Sequence, residues 1–194
     1  MQNKTLNYYN QNAEQFIAGT VNVDFTKTQD RFLSRLDSGS YILDFGCGSG
    51  RDTKYFMEQG FQVDAIDGSE ELCKLASDYT GIQVKNMLFQ DLNEKEKYDA
   101  IWACSSILHL TKEELRDVLV KMAAALKSDG ILYTSFKSIY IRICIGCYGT
   151  VNHSAIILII VIIIIGNIII IKISITTTQW NILIRNPKIT IFRP

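Results

Sequence analysis

The last third of this 194-residue chain contains no acidic residue. All 20 Asp and Glu lie at or before Asp129, whereas the 20 Lys and Arg divide into 15 up to Lys137 and 5 beyond it. The formal charge is 15 − 20 = −5 over residues 1–137 and +5 over residues 138–194, which sum to the net zero of the whole. A neutral total gives no global electrostatic reason for a polyanion or an anionic membrane as partner. The acidic first part also lacks the basic stripe or aromatic platform that nucleic-acid binding requires. Residues 1–12 are polar and no apolar run follows them, unlike a secretory signal, so a cytoplasmic location is expected. Paired cysteines are missing as well. Cys47, Cys73, Cys104, Cys144 and Cys147 are odd in number and without framework spacing, which reads as reduced thiols. Cys144 and Cys147 form a single CxxC; a zinc site needs four ligands, so no metal is expected.

What is present is the alternation of an α/β domain, for which this length has room once. Residues 6–36 carry Tyr9, Phe16, Phe32, Leu33 and Leu36 at roughly helical spacing and predict one or two amphipathic helices. Apolar runs of strand length follow at 41–45, 61–66, 82–89, 98–104 and 131–136, separated by helical stretches at 51–59, 69–80 and 111–126. The helix boundaries are marked chemically. Ser69 precedes Glu70 and Glu71 as an N-cap, Gly60 and Gly81 are stops, and Thr111 followed by Glu114 has the capping-box pattern. Strand–helix alternation implies right-handed crossovers and a doubly wound, mostly parallel sheet. Ligands of such sheets bind outside the carboxyl ends of the strands, so the residues after each strand are the candidates for chemistry.

After the first strand comes Asp44-Phe45-Gly46-Cys47-Gly48-Ser49-Gly50-Arg51. Its glycines permit a tight turn and close approach of backbone to a ligand. A dinucleotide fingerprint would need glycine at position 51, where this chain has Arg51, and Asp44 would repel a pyrophosphate. An NAD-dependent oxidoreductase is disfavoured on both counts, and an acid at this point suits a ligand with an ammonium group. Leu43 to Gly50 resembles motif I of class I S-adenosylmethionine-dependent methyltransferases, and the resemblance extends from about Tyr8 to Lys137. It implies a Rossmann-like methyltransferase core in residues 1–137 and S-adenosyl-L-methionine as cofactor. The loop Gly46, Cys47, Gly48 and Gly50 would wrap the methionine part, with Asp44 engaging its amino group directly or through water. Asp67, 21 positions after Gly46 and followed by Gly68, would take the ribose hydroxyls. Asp91 would accept from the adenine amine, with the Leu92 backbone facing the ring. Ala103 and Cys104 would let the backbone pass under the methionine end. His109, with an unperturbed pKa near 6.5, could act as a general base or could simply cap its loop. Tyr9 in the leading helix could face the cationic sulfur or merely pack on the sheet edge. The implied reaction is methyl transfer to a small-molecule acceptor by proximity and in-line attack.

The resemblance also implies a helix and two further strands, the last antiparallel, after the fifth strand. Residues 138–194 do not read that way: 22 of the 57 are Ile, and 155–171 is apolar except Asn167. The sheet is therefore expected to be incomplete at its C-terminal strands, and three readings of the tail stay open. It could be a membrane anchor, since 17 residues is the short limit for a span. It could be a strand hairpin turning at Gly166-Asn167. It could also be an A/T-rich gene read out of frame near Lys137. The alternative to an enzyme is accordingly a non-catalytic cofactor-binding remnant, membrane-attached if 155–171 inserts.

Overall fold

In the computed structural model the described residues are 2–137, together with the backbone of 159–164, 167–172 and 179–185. Six helices, α1 (Gln2–Gln11), α2 (Ala13–Thr20), α3 (Thr26–Leu33), α4 (Arg51–Glu58), α5 (Glu70–Thr80) and α6 (Lys112–Ala125), accompany a sheet. Its strands are β1 (Tyr41–Phe45), β2 (Gln62–Asp67), β3 (Lys85–Asn86), β4 (Tyr98–Cys104), β5 (Leu126–Lys137) and β8 (Gln179–Arg185), while β6 (Ile159–Ile164) and β7 (Asn167–Lys172) form a separate two-stranded sheet. The sheet order is β3-β2-β1-β4-β5-β8, parallel from β3 to β5. The doubly wound α/β expectation holds.

Alternation along the central strands builds two cores. Leu43, Ile101 and Ala103 face a cluster with Val118 and Met122 of α6, while Ile42, Ala100 and Trp102 face Phe32 of α3 and Phe56 of α4. Strands covered on both faces are apolar throughout, which is why these runs were legible. In the second cluster Trp102 stacks on Tyr133 with ring centroids 3.8 Å apart and meets Phe32 at 4.8 Å.

Three expectations change. The leading segment forms three helices instead of one or two. The third strand, expected over eight residues, pairs only at Lys85 and Asn86, because it is the sheet edge and the chain turns into a 3-10 helix at Phe89–Asp91. On the other edge β8 lies antiparallel to β5 from Ile131↔Arg185 to Lys137↔Gln179. The sheet therefore carries one antiparallel strand beyond β5 in place of the two the resemblance implied, and no helix follows α6 among the described residues. In the tail, β6 and β7 pair antiparallel from Ile159↔Lys172 to Ile164↔Asn167, so Asn167, expected in the turn of the hairpin reading, lies in β7. Among the described residues no helix is long and apolar enough to cross a membrane. Cys144 and Cys147 lie outside the described residues.

The predicted caps form. Ser69 Oγ accepts from the Leu72 N–H at 3.2 Å, and Thr111 Oγ1 accepts from the Glu114 N–H at 3.2 Å while Glu114 Oε2 accepts from the Thr111 N–H at 2.8 Å. Thr111→Ala removes one half of that reciprocal pair. It is expected to lower unfolding free energy by about 1 kcal/mol, read as a shift of the urea midpoint at unchanged slope.

Candidate functional site

The carboxyl ends of β2, β1 and β4 open into a cavity of about 600 Å³ roofed by α1 and α2. Its floor is the turn between β1 and α4. Gly46 has φ +87°, and a Cβ there would lie 2.4 Å from Ser106 Cβ and 3.0 Å from Phe89 Cζ, so only glycine fits. The amides of Gly46 and Cys47 both donate to Ile66 O at 2.9 Å, which pins the turn to the end of β2.

Of the candidates read from sequence, Gly46, Cys47, Gly48, Asp67, Gly68, Cys104, Tyr9 and His109 line this cavity, and Asp44, Gly50, Asp91 and Leu92 do not. Asp67 ends β2. Its carboxylate accepts from the Gly48 N–H at 3.0 Å and the Ser69 N–H at 2.9 Å. Burial pushes its pKa up, opposed by those same backbone bonds. Tyr9 and His109, 100 residues apart, meet with Oη and Nε2 3.2 Å apart. Phe16 adds an edge contact to Tyr9 at 5.3 Å between centroids. Burial lowers the His109 pKa, keeping the ring neutral at pH 7, and raises that of Tyr9, helped by the negative charge of Asp67. The Cys104 thiol is pushed up to about 11, chiefly by burial, and stays protonated.

Asp44 sits beneath the turn, 2% exposed, and its Oδ2 accepts from Thr53 Oγ1 at 2.6 Å. Burial first, and then the nearby Asp52 carboxylate, raise its pKa to about 8. Gly50 caps α4 with φ +75° outside the cavity wall. In the loop after β3, Asp91 and Leu92 lie outside the cavity wall. Asp91 is exposed and Leu92 is buried in the first core cluster, while Phe89 and Gln90 face the cavity. A 3-10 turn at Phe89–Asp91 decides which side chain points inward, and its one-residue offset has no signature in composition.

Several lining residues had not been singled out. Gln90 Nε2 donates weakly to Glu114 Oε1 at 3.4 Å, but Gln90 Oε1 and Ser106 Oγ are buried with no partner among the described residues. An orphaned carbonyl acceptor and an orphaned hydroxyl in one cavity wall are atoms that a polar ligand would satisfy. Ser105, beside them, holds φ +54° with its N–H donating to Ser135 Oγ at 3.0 Å. At the start of α4, Asp52 accepts from Arg51 Nε at 2.8 Å and Nη2 at 3.0 Å, from Gln29 Nε2 at 2.7 Å and from Trp102 Nε1 at 2.8 Å. Arg51 and Asp52 both line the cavity. The glycine turn, the ribose-type carboxylate and the orphaned acceptor fit an adenosine ligand with a charged tail. Among the described residues no group of three metal-ligating side chains occurs.

Comparison with known proteins agrees. Residues 42–130 match the family model described as a methyltransferase domain. The chain is 35% identical over 118 residues to N-terminal Xaa-Pro-Lys N-methyltransferase 1 of Xenopus tropicalis, covering 55% of this chain and 53% of that one. It spans about half the length of several curated relatives it matches. The fold is similar to that of a TehB-like SAM-dependent methyltransferase from Corynebacterium glutamicum, with TM-score 0.58 and 22% identity over 70% of this chain and 74% of that one. It is also similar to 1,6-didemethyltoxoflavin-N1-methyltransferase of Burkholderia thailandensis, solved with S-adenosylhomocysteine, at TM-score 0.51 and 26% identity over 59% and 52% of the two chains.

The buried Asp44 makes a pH-dependent contribution to stability. Its folded pKa of about 8 exceeds the ordinary 3.8, so the fold favours the protonated form. That contribution is complete below about pH 4 and is lost as pH rises through 8. Asp44→Asn, which cannot ionise, should gain stability relative to the wild type as pH rises from 5 to 8. Urea midpoints of both proteins across that range check it; a constant difference would contradict it.

Proposed function

We propose that this chain is a class I S-adenosylmethionine-dependent methyltransferase, which transfers the methyl group of S-adenosyl-L-methionine to a small-molecule acceptor held in the cavity beneath α1 and α2. The observation that carries this reading is the convergence of the Gly46–Gly48 turn, the Asp67 carboxylate and the Tyr9–His109 pair on one cavity. Bound there, the cofactor supplies an electrophilic methyl group on a sulfonium, a reaction that asks for positioning and water exclusion more than for covalent help.

The residues divide that work. Asp67 accepts the ribose hydroxyls, Gln90 Oε1 takes the adenine amine in the role first given to Asp91, and the glycine turn gives the methionine part its backbone contacts. Arg51, held by Asp52, lies where it can meet the carboxylate of that part. Asp44 acts from beneath the turn, since its side chain is not in the cavity wall. Tyr9 Oη and His109 Nε2, 3.2 Å apart, form the pair that passes on the proton the acceptor atom releases, with Tyr9 donating when His109 is protonated on Nδ1 alone.

The N-methyltransferase from Xenopus is named for an N-terminal peptide motif. In this chain the roof of α1 and α2, with Phe16, Thr20, Val23 and Phe25 lining the cavity, favours an acceptor small enough to be enclosed. The negative charge of residues 1–137 favours it over nucleic acid as well.

Two measurements test the proposal. Asp67→Ala should weaken S-adenosylhomocysteine binding by about 2–4 kcal/mol, since a charged acceptor of two hydroxyls is lost, with native circular dichroism. Unchanged affinity would refute the ribose assignment. Methyl-labelled S-adenosylmethionine incubated with the protein and a size-fractionated cell extract should label low-mass material, and His109→Gln should reduce that labelling by about 10²-fold at unchanged cofactor affinity. Label in protein or nucleic acid would overturn the small-molecule acceptor.

A further inference from the structure

Asn10 follows Tyr9 on α1, is exposed to solvent and belongs to no core cluster. Its Oδ1 is nevertheless engaged twice by the first turn of α5, accepting from Ser69 Oγ at 2.6 Å and from the Glu71 N–H at 3.4 Å. Ser69 is the buried N-cap of α5, and its own N–H donates to Asp67 Oδ1 at 2.9 Å. On its other side α1 is fastened by the Tyr9–His109 bond to the turn after β4. The helix thus bridges from the end of β2 to the end of β4, across the end of β1 that lies between them in the sheet. Under the bridge Thr5, Leu6 and Tyr9 line the cavity. Leu6 Cδ2 lies 2.9 Å from where a Cβ on residue 68 would be, so α1 packs directly over Gly68.

We propose that α1 is a lid and Asn10 its latch: by holding α1 on the first turn of α5, Asn10 positions Tyr9 over the cavity and sets how fast cofactor enters and leaves. The inference rests on the reading of this cavity as the cofactor site. The latch bonds join two parts of the protein and touch no ligand, so they are the same in the free and the bound state. An interaction equal in both states shifts no binding equilibrium. Opening the lid breaks them in either state, so their loss raises the open population and with it both rates, by roughly tenfold for a lost pair of hydrogen bonds. Asn10 is therefore a positioning residue with a kinetic signature that neither a binding contact nor a core residue shares.

Stopped-flow measurement of S-adenosylhomocysteine association and dissociation on the full chain tests this, with Asn10→Ala, Asn10→Asp and Asp67→Ala compared with wild type. Asn10→Ala removes a side chain that belongs to no core cluster. It is expected to speed association and dissociation alike by about tenfold, with Kd within about twofold of wild type. Asn10→Asp keeps an acceptor oxygen and should restore wild-type rates. Wild-type rates in Asn10→Ala would overturn the latch. So would faster dissociation alone with a proportional loss of affinity, which would make Asn10 an ordinary binding contact. Failure of the underlying cofactor reading shows itself separately: either the wild-type chain does not bind S-adenosylhomocysteine at all, or Asp67→Ala binds it as well as wild type does.

Discussion

The buried carboxylate of Asp52 is the point through which the two halves of the site are tied. It stands in the first turn of α4, where a negative charge is favoured by the exposed amides of the helix N-terminus. It accepts four hydrogen bonds, from Gln29 on α3, from Arg51 twice and from the indole of Trp102 on β4. A carboxylate taken out of water at this depth is tolerable only when its lone pairs are filled, and here both oxygens serve two donors. The indole N–H, inside an aromatic cluster of Phe32, Phe56 and Tyr133, would otherwise be a buried donor without a partner. One group therefore fixes α3, α4 and β4 relative to the glycine turn, and orients Arg51 along the cavity wall.

From that anchor the site follows in layers. The turn from β1 to α4 is held on β2 by the Gly46 and Cys47 amides and on Asp67 by the Gly48 amide. Asp67 holds Ser69, Ser69 caps α5, and Asn10 ties α1 to that cap. On the far side the Thr111–Glu114 box starts α6, and the same Glu114 reaches Gln90 in the cavity wall. Helix caps and the cavity wall thus share residues, since Ser69 caps α5 on Asp67 and Glu114 caps α6 while reaching Gln90. The electrostatics agree with a proton-handling role at one end only. His109 and Tyr9 face each other as neutral groups, whereas the Asp67 carboxyl lies at the other end, where a hydroxyl-rich ligand part would be received.

Much of this was legible in the residues. Strand β1 falls where its apolar run and the turn chemistry before it place it, and α5 and α6 begin at the Ser69 and Thr111 caps. Those signals are local, and tertiary packing reinforces them. Gly46, Gly48 and Asp67 line the cavity where spacing after a strand end places them, because that spacing is a backbone property. What sequence could not settle were choices made by a single torsion or by a distant partner. Gln90 and not Asp91 faces inward because of a 3-10 turn, and β3 pairs at two residues because an edge strand has one neighbour to hold it. The partners of Asp52 come from three separate stretches of chain and leave no pattern along any of them. The β8 pairing joins two stretches far apart in the chain, and the choice of partner for an edge strand leaves no local pattern in residues 138–194.

The central claim is that the turn after β1 receives S-adenosylmethionine and not a dinucleotide. Arg51 in place of a third spaced glycine is its physical basis, since it removes the close helix approach that a pyrophosphate needs. Calorimetric titration of the full chain with S-adenosylhomocysteine and with NAD decides it in one experiment. The account expects saturable one-to-one binding of S-adenosylhomocysteine and none of NAD at the same concentrations; tighter binding of NAD would contradict it.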